Sequence, residues 1–182
     1  MKEYIEFETR FLNLDEKQIL KKLEEIKAEK IGDYYFKEWI FQKAEWLEQH
    51  RRIRVRTDGK TNWLTYKSNK TWEVDSTEEV ELEVDSAEDM VKFLHSIDMP
   101  LARYQEKKIT RYKKDDILFE INHWPKIPMV FEIESISEEK VKEGASLLGL
   151  DWKDAIFEDQ KLVHNKYYGV DLDKIDDYRF EK

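Results

Sequence analysis

Two periodicities alternate along the chain. From Asp15 to Glu29 the apolar residues Ile19, Leu20, Leu23 and Ile26 fall on one helical stripe. Asp15 stands where an N-cap is needed and Gly32 follows shortly after, so the pattern predicts a first helix. Ser86-Ala87-Glu88-Asp89 opens like a capping box, and Met90, Phe93, Leu94 and Ile97 supply the stripe of a second helix before Pro100. A third begins at Ser137 and offers Val141, Ala145 and Leu148 to a core. A fourth runs near Glu158 to Tyr168, with Gly169 ending it.

Between these helices the period is two. Short turns such as Asp58-Gly59 and Asp115-Asp116 join neighbouring segments, which predicts an antiparallel sheet. Trp124-Pro125-Lys126-Ile127-Pro128 holds too much proline for a strand interior and reads as a rigid connection between two strands.

Because successive side chains on a strand point to opposite faces, each segment carries one apolar and one charged face. Glu6, Glu8 and Arg10 oppose Ile5, Phe7 and Thr9, and Arg52, Arg54 and Arg56 oppose Ile53 and Val55. Glu79, Glu81 and Glu83 oppose Val80, Leu82 and Val84. Lys107 and Arg111 flank Ile109, Glu120 and Asn122 oppose Phe119 and Ile121, and Glu132 and Glu134 oppose Phe131 and Ile133. Lys67 follows the same spacing after Thr65.

Composition narrows the class. The chain has 182 residues, 40% of them charged, no cysteine and a formal net charge of −9. That length predicts one domain over residues 1–182. Without cysteine there are no disulfides and no thiolate metal sites. Met1 to Glu6 lacks a signal-peptide core and no apolar run is long enough to span a bilayer, so a cytoplasmic protein without a membrane partner is expected. The acidic balance argues against a general nucleic-acid binder. The sequence holds no Walker loop, dinucleotide glycine turn or HExxH helix. His50, His95, His123 and His164 are scattered and read as structural or surface residues. Trp39, Trp46, Trp63, Trp72 and Trp152 read as packing, with Trp46 and Trp63 the two to inspect for stacking on a ligand.

For a single strand, a charged face in water is the ordinary reading. Here the signs are segregated by strand, and like charges at i and i+2 repel unless opposite charge sits among them. A sheet rolled inside out resolves the conflict: apolar faces lie outward under the helices and charged faces converge on a wet interior. A closed sheet of about eight strands has room for a ligand. Clustered arginine and lysine demand a polyanion, and neighbouring carboxylates tolerate one when divalent cations lie between. Phosphates with Mg²⁺ or Mn²⁺ meet both conditions.

The assembled motifs resemble those of the CYTH superfamily, the triphosphate tunnel metalloenzymes, over nearly the whole chain. Glu6-Phe7-Glu8-Thr9-Arg10 is similar to the family's opening ExExK, with arginine in place of lysine. Arg54-Val55-Arg56, the Asp58-Gly59 turn and Thr65-Tyr66-Lys67 resemble its paired-arginine and threonine-x-lysine strands. Glu79 to Glu83, Phe119-Glu120-Ile121-Asn122 and Phe131-Glu132-Ile133-Glu134 resemble its acidic strands. In the lysine-x-arginine strand Ile109 stands where arginine is expected, and Arg111 lies on the same face.

The resemblance implies an α+β fold: a closed antiparallel eight-stranded β-barrel with a charged interior, covered by a few helices. It implies phosphate binding by Arg10, Arg54, Arg56, Lys67, Lys107 and Arg111. Glu6, Glu8, Glu132 and Glu134 would hold Mg²⁺ or Mn²⁺, while Glu79, Glu81 and Glu120 would support a second ion or orient the attacking water. Lys161 and Lys166 fall on the last helix, which in this family closes over one tunnel mouth; a solvated helix face is the ordinary role for both. The expected activity is divalent-metal-dependent hydrolysis of a small-molecule triphosphate, by a monomer or homodimer. The alternatives are a class IV-type adenylate cyclase and a non-catalytic module that binds polyphosphate.

Overall fold

Local signals start and stop the helices where side chains can satisfy the free backbone groups. The structure is a computed structural model that describes residues 7–47, 51–69 and 77–181. Helix α1 (Glu16–Glu25) is capped by the Asp15 carboxylate, which accepts from Gln18 N at 3.1 Å. Ser86 caps α2 (Ala87–Ser96), Ser137 caps α3 (Glu138–Leu147), and Asp159 caps α4 (Gln160–Tyr168). Gly169 ends α4 at a φ of 67°, a left-handed turn that glycine adopts without a Cβ penalty.

The first helix is shorter than its apolar stripe suggests. It stops at Glu25, Lys27 turns the chain at a φ of 58°, and residues from Glu29 onward pass into a long strand. Gly32 therefore lies within that strand, at a register shift, and does not terminate the helix. The ladder that these residues form with a distant strand outweighs their local helical preference.

The strands are β1 (Phe7–Phe11), β2 (Glu29–Phe41), β3 (Arg52–Thr57), β4 (Asn62–Asn69), β5 (Thr77–Val84), β6 (Leu101–Lys114), β7 (Ile117–His123), β8 (Val130–Ser135) and β9 (Asp177–Tyr178). They form one sheet in the order β1-β8-β7-β6-β2-β3-β4-β5, with every pairing on that path antiparallel; β9 runs parallel along the first half of β6. The Asp58-Gly59 and Asp115-Asp116 turns join β3 to β4 and β6 to β7. The proline-bearing segment joins β7 to β8.

The apolar faces do lie outward under the helices. Phe11, Phe119, Ile121, Phe131 and Ile133 pack against Ile19 and Leu23 of α1 and Val141 and Ala145 of α3. A second cluster sets Ala87 and Leu94 of α2 on Phe41 and Val55. Helix α3 approaches the sheet so closely that a Cβ on Gly144 would stand 2.9 Å from Ile133 Cγ2 and 3.0 Å from Ile117 Cγ2. Among the described residues no helix is long and apolar enough to cross a membrane.

One expectation needs correction: the sheet is not closed by hydrogen bonds. Strands β1 and β5 end the order, and no pairing joins them among the described residues. At Arg10 the outer edge of β1 is taken by the chain that precedes α4. Arg10 N donates to Ile156 O and Ile156 N to Arg10 O, both at 2.9 Å, and Thr9 Oγ1 donates to the same carbonyl at 3.2 Å. With these groups satisfied by Ile156, the edge at Arg10 is not available to β5.

Candidate functional site

Cross-strand register places the charged residues in rows. Arg52, Lys67 and Glu79 stand side by side on β3, β4 and β5, followed by Arg54, Thr65 and Glu81, and then Arg56, Trp63 and Glu83. On the other half of the sheet Arg111, Glu120, Glu132 and Arg10 form one row across β6, β7, β8 and β1, beside the Glu8–Glu134 pair. The two halves face each other. Glu8 on β1 has its carboxyl pulled down to about 2, first by Arg10 and further by Lys67 on β4 and Lys107 on β6, against the opposing effect of burial. Charges on β1, β4 and β6 thus act on one another, as they do when a sheet rolls with its charged face inward.

Arg10 ties the acidic strands together. Its Nε donates to Glu132 at 2.8 Å, Nη2 to Glu8 at 2.9 Å and Nη1 to the Glu158 carbonyl at 2.8 Å. Burial disfavours its charge, but Glu8 and Glu132 outweigh that effect and raise its pKa. Arg111 repeats the theme: Nε donates to Glu120 at 2.7 Å, and Nη2 lies against the same oxygen.

Arg54 stands differently. Its guanidinium has Glu38 at 3.8 Å, Glu79 at 3.8 Å and Glu81 at 3.7 Å, all beyond hydrogen-bond length, and its buried Nε has no hydrogen-bond partner. Nε of Arg56 is likewise unpartnered. Lys67 pairs with Glu79 at 2.5 Å, and Thr65 Oγ1 donates to Glu81 at 2.8 Å. Burial, and then the positive neighbour Arg54, lowers the pKa of Arg56. Burial foremost also lowers those of Arg52, which feels Arg54, and Arg103, which feels Arg52. Crowded, half-buried guanidiniums whose Nε donors lack acceptors are the arrangement that an anion relieves, even though Arg56 Nη2 reaches Glu81 at 3.4 Å.

Several interior residues escaped the sequence reading. Glu38 is only 2% exposed; Gln105 Nε2 donates to it at 2.5 Å, and Arg54, Arg56 and Lys107 outweigh burial to lower its pKa. It shares its face of β2 with Tyr34, Phe36 and Ile40, so no charged alternation betrays it. Arg103 and Gln105 were legible, because they stand at period-two spacing with Lys107 and Arg111 on β6.

The segment after α3 borders the same interior. Arg103 donates from Nε to Gln105 at 2.7 Å and from Nη1 to the Leu172 carbonyl at 2.7 Å. Asp159 acts on Arg52. His164 is fully buried, edge-on to Trp124 and Tyr178, and burial foremost lowers its pKa to about 4. Lys161 and Lys166 remain on a solvated surface, paired at 2.5 Å with Asp173 and Glu158.

Arg56 is clasped by aromatic rings. Its guanidinium carbon lies 4.7 Å from the Phe36 centroid and 4.9 Å from that of Trp63, rings that meet edge-on at 6.1 Å. Trp46, by contrast, packs against the outer cluster under α2.

The acidic donors are hard oxygens, which fit Mg²⁺ or Mn²⁺ in type and offer nothing to softer ions. Glu8 and Glu132 both engage Arg10, and Glu6 lies outside the described residues. Among the described residues no three acidic or histidine side chains converge within metal-binding reach. The donor chemistry thus fits a divalent ion, with the carboxylates held by arginine.

Known proteins place this arrangement. No curated protein sequence matches the chain. Its fold is that of PH1012 from Pyrococcus horikoshii OT3, at TM-score 0.74 and 20% identity over 93% of this chain and 99% of that one. A candidate adenylate cyclase from Vibrio parahaemolyticus superposes at 0.74 with 11% identity, over 89% and 98% of the two chains. HpAC1 from Hippeastrum, described by a dominant triphosphatase activity, superposes at 0.64 with 14% identity, over 92% and 97%. The sequence itself matches the CYTH domain across residues 4–152, and with its charged, rolled sheet the chain belongs to the CYTH family.

Proposed function

We propose that the protein is a divalent-metal-dependent triphosphate hydrolase. The observation that carries this reading is Arg54: a half-buried guanidinium with carboxylates on three sides, none at hydrogen-bond length, and a buried Nε that lacks any acceptor. Phosphate oxygens supply such acceptors, and a guanidinium binds them in bidentate pairs. Arg56, Lys67 and Lys107 add charge around the same space, with Arg10 and Arg111 beside the acidic row. A chain of phosphates matches this elongated set of cations better than one compact anion does.

Glu8, Glu132 and Glu134, with Glu6, would hold a divalent ion, which would supply charge neutralisation between carboxylates and phosphate oxygens. Glu79, Glu81 and Glu120 would orient the attacking water or support a second ion; Thr65 and Arg111 already fix the directions of Glu81 and Glu120. In the reaction the water oxygen bonds to the terminal phosphorus and the bond to the bridging oxygen breaks. The electron pair stays on the diphosphate, and the water's proton passes to a carboxylate or to phosphate. Positioning and charge neutralisation carry the chemistry, so no covalent nucleophile is required.

The test is incubation of the purified protein with Mg²⁺ or Mn²⁺ and tripolyphosphate, thiamine triphosphate or ATP. Release of inorganic phosphate without cyclic AMP is the expected result. Cyclic AMP with diphosphate would make it a cyclase, and metal-dependent binding without any turnover would make it a binding module.

A further inference from the structure

Glu38 puts a negative charge where an anion would bind. It lies across the β2–β3 pairing from Arg56 and within 3.8 Å of Arg54; burial opposes its charge, and Arg54, Arg56 and Lys107 outweigh burial. By charge alone such a residue weakens a phosphate site. Its two oxygens, however, face different partners. Oε2 accepts from Nε2 of Gln105, which stands directly opposite on β6, while Oε1 faces Arg54 Nη1.

The anchor of this carboxylate lies far along the chain. Leu172 packs with Trp124 and Tyr178, and its carbonyl accepts from Arg103 Nη1 at 2.7 Å. Arg103 Nε in turn donates to Gln105 Oε1 at 2.7 Å, which leaves the amide nitrogen of Gln105 to Glu38. The short β9 strand holds the backbone here as well, pairing Asp177 with Tyr104 and Tyr178 with Gln105. A continuous run of hydrogen bonds thus connects the segment after α4 to Glu38 and fixes the direction of its carboxylate.

Arg54 is drawn from both sides. In the strand order β2-β3-β4-β5 it stands on β3, with Glu38 to one side and Glu79 and Glu81 to the other. Nη1 faces Glu38 and Nη2 faces Glu79 and Glu81, at 3.7–3.8 Å in each case. Glu79 and Glu81 are themselves engaged by Lys67 and Thr65. We propose that Glu38 is a positioning residue: pinned through Gln105 and Arg103 to Leu172, it counterbalances Glu79 and Glu81 and keeps Arg54 from closing onto them, a role that rests on the triphosphate reading above. Without that counterweight Arg54 would commit its donors to Glu79 and Glu81 and offer fewer to phosphate.

Isothermal titration calorimetry of the full chain with tripolyphosphate in metal-free buffer tests this, because charge and position predict opposite signs. Glu38→Gln removes a negative charge, which alone would tighten binding; loss of the counterweight should instead weaken it about tenfold, within the coupling range for residues of one network. Gln105→Leu alters no charge, yet it releases Glu38 to close onto Arg54 and should weaken binding about fivefold. In an Arg54→Ala background Glu38→Gln should weaken binding no further, since the side chain it positions is gone. Urea unfolding shows which variants fold, and should one fail, the other still reports the role. Unchanged or tighter binding in either folded variant, or an equal loss from Glu38→Gln with and without Arg54, overturns the positioning role alone. Absence of tripolyphosphate binding by the parent overturns the triphosphate reading as well.

Discussion

Arg10 and Glu132 meet across the β1–β8 pairing, Nε to carboxylate at 2.8 Å, with 6% and 10% of their side chains exposed. An ion pair this dry is held only while both partners remain, because desolvation costs several kcal/mol per ion. Arg10 also reaches Glu8 and the Glu158 carbonyl, so one side chain links two acidic strands to the segment that covers the edge of β1.

Replacing Arg10 should therefore destabilise the fold as well as the site. Arg10→Met strands Glu132 in a dry environment and should lower stability by about 3 kcal/mol in chemical denaturation. Arg10→Lys keeps the charge but cannot span three acceptors, and should lose roughly 1 kcal/mol. An Arg10→Met midpoint equal to that of the parent would show that the pair contributes nothing.

The interior and the surface should respond oppositely to loss of a cation. Arg54→Ala should weaken binding of tripolyphosphate by roughly tenfold to a hundredfold, the range for hydrogen bonds to a charged group. Lys161→Ala removes only a pair in which both side chains are more than 40% exposed and should change affinity and stability negligibly. Calorimetry on both variants checks the contrast; a similar small effect from each would mean that Arg54 faces water like any surface residue.

His164 predicts an acid-side loss of stability. In the fold its pKa is lowered to about 4, by burial foremost and then by Arg103 and Lys107, whereas the unfolded chain takes up the proton near 6.5. Between those values the unfolded state binds more protons, so this contribution is present above pH 6.5 and is lost as pH falls toward 4. Its share between pH 7 and 5 is about 2 kcal/mol. His164→Phe keeps ring contacts with Trp124 and Tyr178 and gives up the Nδ1–H bond to the Gln160 carbonyl. Urea midpoints should then change less between pH 7 and pH 5 than in the parent. Parallel pH dependences in the two proteins would assign the slope to other groups.

Gly144→Ala should destabilise although alanine is the better helix former. The propensity gain is about 1 kcal/mol. Against it, the added methyl would meet Cγ2 of two buried, χ1-restricted isoleucines, Ile133 at 2.9 Å and Ile117 at 3.0 Å, and overpacking of this kind costs about 1–3 kcal/mol. A net loss of roughly 1 kcal/mol in thermal or urea unfolding is expected, whereas a rise in stability would mean that α3 can move off the sheet.

Local patterns carried much of this architecture. Apolar stripes and caps at Asp15, Ser86, Ser137 and Asp159 announce four helices, and period-two alternation announces the strands and assigns Glu8, Arg54, Lys67, Glu120 and Glu132 to their charged faces. Segregated signs even imply a shared interior, since rows of like charge are stable only among their opposites. These features depend on neighbours a few residues apart, so they are written in the linear chain.

Long-range pairing settled the rest. It drew Glu29 and its neighbours out of a helical pattern into the β2–β6 ladder and set Glu38, invisible on a mostly apolar face, beside Arg54. It also put Ile156 on the edge of β1, leaving the sheet rolled without a β1–β5 seam among the described residues. Each outcome turns on which distant segment satisfies a backbone edge or a buried charge most favourably. That competition is decided by the packed chain as a whole and leaves no periodic mark in the sequence.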